Sequence, residues 1–181
     1  MELRRLMISD LKSYVENRLR ALEHDHAAFL TTLEEERSRG TTHFESTLSY
    51  EGDEKVIFGA ISEDSVVGTI GVSREERSKI RHKAMLWGMY VDVSFRKQGI
   101  GGALLDLAIC HAMEKMKVTV VMASVESNNG AAKALYESRG FKCWGTEPKA
   151  MHSTDRYFDE DHMIRYLPDI SDRQRQLERL Q

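Results

Sequence analysis

The stretch Met85-Leu86-Trp87-Gly88-Met89-Tyr90-Val91-Asp92-Val93-Ser94-Phe95-Arg96-Lys97-Gln98-Gly99-Ile100-Gly101-Gly102-Ala103-Leu104-Leu105 decides the fold. Its first part is largely apolar, with the aromatic and β-branched residues of a buried strand. Residues 96–102 are basic and glycine-rich. From Leu104 the apolar spacing changes, and Leu104, Leu105, Ala108, Ile109, Ala112 and Met116 fall on one side of a helical wheel. The order strand, tight turn, helix puts the turn at a helix N-terminus. There the first backbone N–H groups lack internal partners, and the helix dipole leaves partial positive charge. Gly99, Gly101 and Gly102 let the backbone approach a ligand closely, so several N–H groups can point at a phosphate, with Arg96 and Lys97 beside them. Taken alone, Gly-x-Gly-Gly also describes a plain turn.

The wider spacing is more specific. Arg96-Lys97-Gln98-Gly99-Ile100-Gly101 fits the pattern Arg/Gln-x-x-Gly-x-Gly/Ala after a strand and before an amphipathic helix. Downstream stands Asn129-Gly130-Ala131-Ala132-Lys133-Ala134-Leu135-Tyr136-Glu137-Ser138-Arg139-Gly140-Phe141. It fits Asn-x-x-Ala-x-x-Leu-Tyr-x-x-x-Gly-Phe. In this order and separation the two segments resemble the pyrophosphate-binding and Leu-Tyr signatures of the GNAT superfamily of N-acetyltransferases, which use acetyl-CoA. The resemblance is specific over about residues 55–166 and loose before that.

The remaining chain reads as follows. Residues 6–8 form a short first strand, and Ser9 or Asp10 can cap a helix running to about residue 23. His24-Asp25-His26 interrupts that helix; it is a solvated helix end or, less simply, part of a metal site, and in either case can line a substrate cleft. A second helix covers 29–39, ending at Gly40, with Glu34-Glu35-Glu36 as an exposed acidic face or an attractor for a cationic substrate. Residues 41–53 are ambiguous, with Phe44 and Leu48 able to anchor a short helix or a loop. Strands at 56–61 and 66–72 pair through a Ser62-Glu63-Asp64 turn and lead into the opening strand as an antiparallel meander. After a helix over 102–117, residues 118–125 are β-branched and nearly continuous, as in a central strand buried on both faces. The strand–helix–strand crossover makes it parallel to the strand ending at Val91. A helix from Asn129 to Gly140, a strand from Phe141, a turn at Pro148 and a final strand within 156–167 complete the order β-α-α-β-β-β-α-β-α-β-β. This agrees with the α/β fold the resemblance implies: a mixed, mostly antiparallel sheet with a central splayed parallel pair and helices on both faces.

At 181 residues the chain is long enough for one domain with a sizeable core, read here as 1–167, followed by a polar tail at 168–181 with Leu177 and Leu180 in a short terminal helix. The net charge of −3 gives no general drive toward nucleic acid or anionic membrane. Cys110 and Cys143 suggest neither a disulfide framework nor a zinc site, and no metal is expected. Without a secretory signal or an apolar run of transmembrane length, the sequence points to a cytoplasmic protein.

The resemblance implies a site. Pantetheine would lie between the strands ending near Val91 and Val125, making strand-like bonds to the backbone of Met89 and Val91. Pyrophosphate would sit on Gln98, Gly99, Ile100, Gly101, Gly102 and Ala103, with Arg96 and Lys97 adjacent. Asn129 would bond the pantetheine arm; it is equally suited to cap its helix. The Met89 N–H is the carried-over oxyanion donor. Tyr136 would reach the cofactor sulfur and protonate the leaving thiolate, or else fill space between helix and sheet. An attacking alkyl amine with a pKa near 10 must first lose a proton. Many members of the family carry a glutamate in the first splayed strand for this. Met85 stands there here, and 84–91 holds no carboxylate. Glu126 is the substitute candidate for the base; Asp159 and His82 are weaker, and a water wire serves as well.

The leading expectation is therefore an acetyl-CoA-dependent N-acetyltransferase acting by direct attack of a primary amine on the thioester. The acceptor is a polyamine, another small-molecule amine or a protein N-terminus, and a homodimer stays open. The alternative is a non-catalytic acyl-CoA-binding module. A dinucleotide-dependent oxidoreductase is disfavoured, because no Gly-x-Gly-x-x-Gly follows a first strand with an acid about twenty residues on.

Overall fold

The computed structural model describes residues 1–153 and 156–168. Seven strands form one sheet in the order β1-β2-β3-β4-β5-β7-β6. They are β1 (Glu2–Arg5), β2 (Lys55–Ser62), β3 (Ser65–Arg74), β4 (Lys83–Val91), β5 (Val120–Glu126), β6 (Lys142–Ser153) and β7 (Arg156–Tyr166). The helices are α1 (Leu11–His24), α2 (Leu33–Arg39), α3 (Thr42–Leu48), α4 (Ile100–Glu114) and α5 (Gly130–Ser138). Every neighbouring strand pair is antiparallel except β4 with β5. The crossover through α4 fixes that exception.

Two apolar cores hold the layers. On one face α4 buries Leu104, Leu105 and Ala108 at 0% exposure against Val72, Leu86, Val121 and Ala123. This is the stripe that the spacing from Leu104 predicts; truncating Leu104 to Ala costs about 2–5 kcal/mol. On the other face Leu6, Tyr14, Phe44, Leu48, Ile57 and Val66 pack together beneath α1 and α3. The Tyr14 and Phe44 rings meet edge to face at 5.2 Å.

Several local expectations need correction. The first strand is Glu2–Arg5, not 6–8. Leu6 is buried just past its end, and Ile8–Asp10 forms one 3-10 turn. Asp10 does not cap α1; its carboxylate accepts from the Met7 N–H and from Arg4. The second helix starts at Leu33, where Thr32 and Glu35 form a capping box. Residues 42–48 form the extra helix α3, anchored by Phe44 and Leu48. The acidic run is not wholly solvated. Glu36 is 4% exposed and pairs with Arg18 at 3.2 Å and His43 at 2.8 Å. A carboxylate withdrawn from water needs such partners. Pro148 does not end a strand: β6 runs through it, with a register shift between Glu147 and Met151. The expected tail helix with Leu177 and Leu180 lies outside the described residues.

Candidate active site

The site begins where β4 and β5 part. Their parallel register covers Lys83↔Val120, Ala84↔Val121 and Met85↔Met122. Beyond it β5 stays paired with β7 as far as Glu126↔Glu160, while β4 follows β3. A wedge opens between them, edged by strand backbone that can bond an extended ligand.

Gly88 helps make the wedge. Between Thr69↔Tyr90 and Gly71↔Trp87, β4 carries one more residue than β3, and Gly88 has φ +63°. This is a bulge whose left-handed residue bends the strand, and glycine adopts that conformation without the penalty a Cβ brings. The Thr69 hydroxyl lies 3.3 Å from the Gly88 carbonyl and 3.3 Å from Asn17 Oδ1. Sequence reasoning assigned no role to Gly88; a glycine inside a strand pattern was the available signal.

At the end of β4, Asp92 is held by α1. Arg20 donates to both carboxylate oxygens, at 3.2 and 3.0 Å, and the buried Asn17 Nδ2 donates to Oδ1 at 3.3 Å. A 3-10 turn at Val93–Phe95 follows, then Lys97 at φ +61° and Gly99 at φ +81°. Helix α4 starts at Ile100, so the N–H groups of its first turn face outward from this loop. Gly101 packs closely: a Cβ there would come 3.3 Å from the Leu135 side chain and 3.3 Å from Met89 Cε. The left-handed Gly99, the exposed helix start and the open wedge together fit a ligand with an extended arm and an anionic end. Lys97 and Gln98 are exposed beside this turn. Arg96 is already engaged. It donates to the Val91 carbonyl at 2.9 Å and to Asp25 at 2.5 Å, with its guanidinium 5.5 Å over the Tyr90 ring.

The structure brings Tyr136 and Met89 together. The Tyr136 hydroxyl donates to Met89 Sδ at 3.6 Å, and its ring meets Phe141 edge to face at 5.2 Å. At 5% exposure, burial pushes its hydroxyl well above the ordinary phenol range, so it stays protonated. Asn129 caps α5 by accepting from the Ala132 N–H at 3.1 Å. Together with Glu126 it lines a cleft of about 300 Å³ whose other wall is His24, Asp25, His26, Ala27 and Ala28. The His24–His26 segment thus borders the wedge. Glu126 Oε1 accepts from the Asn128 backbone at 3.1 Å and side chain at 2.9 Å.

A polar group on β5, β6 and β7 was not assembled from the sequence. Ser124 Oγ lies 3.0 Å from His162 Nδ1, and His162 Nε2 lies 3.3 Å from Glu147 Oε2. Glu147, Glu160 and His162 form the single cluster of described residues with metal-ligand spacing. Burial pushes the Glu160 carboxyl up. Behind them Asp161 accepts from Lys133 at 2.6 Å, Thr146 at 2.7 Å and Ser127 at 2.9 Å, which holds its carboxyl down at about 2. That knot ties β7 to β6 and to the β5–α5 turn. Asp159 accepts from the Lys149 N–H on the β6 side. His82 lies just before β4, at the closed end of the parallel pair, where its carbonyl accepts from the Thr119 and Val120 N–H groups.

Fold and site define an α/β domain with a wedge between two splayed strands and a helix N-terminus open beside it. The chain belongs to the acetyltransferase (GNAT) family, whose sequence profile matches residues 19–141. It is 37% identical over 86 residues to the ribosomal protein bS18-alanine N-acetyltransferase of Escherichia coli K12. That alignment covers 48% of this chain and 56% of the relative, so the match spans little more than half of the curated protein's length. A crystal structure of a ribosomal-protein-alanine N-acetyltransferase from Brucella melitensis superposes with a TM-score of 0.74 at 28% identity, covering 92% of this chain and all of that one. A putative acetyltransferase from Salmonella typhimurium, solved with its cofactor acetyl-CoA, shares the fold at a TM-score of 0.79 and 21% identity over 93% of this chain and 95% of its own.

Proposed function

We propose that the protein is an acetyl-CoA-dependent N-acetyltransferase acting on a primary amine, with the α-amino group of a protein N-terminus as the first acceptor to test. The observation that carries this reading is the meeting of Tyr136 and Met89 at 3.6 Å beside the wedge, with the glycine turn and helix start of α4 adjacent. Family membership and the names of the Escherichia coli and Brucella melitensis relatives support it. They also favour a protein N-terminus over a polyamine. Such an α-amino group has a pKa of about 7.7–8.0, so it is easier to deprotonate than an alkyl amine.

In this mechanism Gln98, Gly99, Ile100, Gly101 and Gly102 hold the pyrophosphate through main-chain N–H groups, whereas the Ala103 N–H, also expected there from the sequence, is taken by the Gly99 carbonyl at 3.0 Å. The backbone of Met89 and Val91 and the side chain of Asn129 hold the pantetheine arm. The bound acyl donor supplies an activated thioester. The Met89 N–H faces the carbonyl oxygen as negative charge grows there. The Tyr136 hydroxyl donates toward the departing sulfur. Its raised pKa makes full proton release to an ordinary thiolate, near 8.5, uphill. A thiolate buried in the same wedge rises too, which narrows the gap. Arg96 acts from behind, bracing the end of β4 and the Asp25 segment.

Cys110 and Cys143 are unpaired thiols, which suits a reducing compartment, and a cytoplasmic location belongs to the same reading. Among the described residues no helix is long and apolar enough to cross a membrane. The test is a panel of N-terminal peptides, polyamines and small amines assayed for release of free CoA from acetyl-CoA. Turnover with an Ala-initiated peptide exceeding that with any polyamine is the expected result. Binding of acetyl-CoA with no turnover across the panel would support the non-catalytic alternative instead.

A further inference from the structure

The Ser124–His162–Glu147 group has a direction that its chemistry fixes. A carboxylate can only accept, so the ring nitrogen facing Glu147 Oε2, Nε2 at 3.3 Å, carries the hydrogen. In the neutral ring Nδ1 is then a bare acceptor. The Ser124 hydroxyl, 3.0 Å away, donates into it, with the Glu160 carboxylate beside it as a second acceptor. The oxygen of Ser124 is left with lone pairs for an incoming N–H.

Its place in the fold matters as much. Ser124 is the second residue of β5 past Met122, where pairing with β4 ends, and it is exposed. It lies on the same face of β5 as Glu126, which lines the cleft beside Asn129. His162 is its direct partner on β7, and Glu147 neighbours it on β6. Trp144 stacks on the His162 ring at 5.5 Å and 25°, covering one side of it. Imidazole is the side chain suited to exchanging a proton near neutral pH. The charged groups around it are Glu147 on β6, Glu160 on its own strand and Glu126 on β5. Glu126, bound by Asn128 through Oε1, is then a wall of the acceptor cleft.

We propose that Ser124, His162 and Glu147 form the relay that removes the proton an amine must lose before attack. The proposal rests on the acetyltransferase reading of the wedge. Ser124 is the group that meets the acceptor; His162 acts through it as a positioning and proton-holding residue, and Glu147 orients the ring. The acceptor enters as an ammonium. One of its protons goes to Ser124 Oγ as the Ser124 hydrogen moves to His162 Nδ1, and the imidazolium later releases it to water. The neutral amine forms the C–N bond and the C–S pair leaves on sulfur. Tyr136 donates its proton to that sulfur and recovers one from the acylated nitrogen. The net products are the amide, the free thiol and one proton in solution.

The test uses the full chain. His162→Gln and Ser124→Ala should each lower kcat/KM at neutral pH about 10²-fold, the usual scale for a lost general base. Both should keep the acetyl-CoA Kd and the thermal midpoint. The acidic limb of the wild-type pH profile should disappear in His162→Gln. Independently of activity, imidazole-nitrogen NMR on the unliganded wild type should show neutral His162 as the Nε2–H tautomer, shifting toward Nδ1–H in Glu147→Gln. Wild-type kcat/KM with an intact acidic limb in His162→Gln would overturn the relay while leaving the acetyltransferase reading in place, as would an Nδ1–H tautomer in the wild type. A wild type that binds acetyl-CoA and acetylates no amine would overturn both.

Discussion

The two walls of the wedge are built in different ways. The cofactor wall is made of consecutive chain: β4, the turn through Gly99 and the start of α4 all lie within residues 83–105. In the proposed mechanism its working groups are main-chain N–H and C=O, and its side chains mostly brace. The proposed acceptor wall is assembled from remote segments: His24–Ala28 at the end of α1, Ser124 and Glu126 on β5, Glu147 on β6, and His162 on β7. Its working groups are side chains. A ligand part shared by all reactions of a class can be held by backbone, whose geometry depends little on side-chain identity. An acceptor that differs between enzymes must be met by side chains.

This contrast makes the two walls separable by mutation. The largest effect is expected at Tyr136, which stands between them. Tyr136→Phe should keep the acetyl-CoA Kd and lose about 10²–10⁴ in turnover. The buried ring keeps its contact with Phe141, so folding should survive. Unchanged turnover under conditions where chemistry limits the rate would reduce Tyr136 to a packing residue and leave the cofactor wall without an acid.

Next comes Gly99→Val. Gly99 is exposed and has nothing within 4 Å of an added Cβ, but its φ of +81° is hostile to a β-branched residue. The turn must change shape, and acetyl-CoA should bind at least tenfold more weakly, about 1.4 kcal/mol, by calorimetry. Acceptor KM at saturating acetyl-CoA should not move. Gly101→Val is a less clean probe, because its added Cβ would also crowd Leu135 and Met89. Wild-type affinity in a folded Gly99→Val protein would detach the phosphate from this turn.

The smallest effect is expected on the acceptor wall at Glu126. Its Oε1 closes the turn to Asn128, and Glu126→Gln preserves an oxygen there. The kcat should stay within about threefold of wild type, with any larger change confined to the KM of a cationic acceptor. A hundredfold fall in kcat with loss of an acidic limb would make Glu126 the base and displace Ser124 from that role.

The difference between the walls also governs what the sequence by itself determined. Residues 85–105 and 129–141 were legible because strand, turn, helix start and capping residue follow from local spacing, and the α/β fold with its parallel pair followed from them. Local too were the α4 stripe at Leu104, Leu105 and Ala108, and Gly40 as the end of α2. What only the tertiary structure decided was the company kept by polar side chains. Glu36 sits in an acidic run, yet folding buries it against Arg18 and His43. Asp92 is an ordinary acid after a strand until Asn17 and Arg20, more than seventy positions earlier, close on it. His162 reads as one histidine in a terminal strand, and becomes part of a relay only because β7 lies between β5 and β6. Hydrophobic periodicity and glycine conformation are written in neighbouring residues, whereas the partner of a charge is set by which strands the fold makes adjacent.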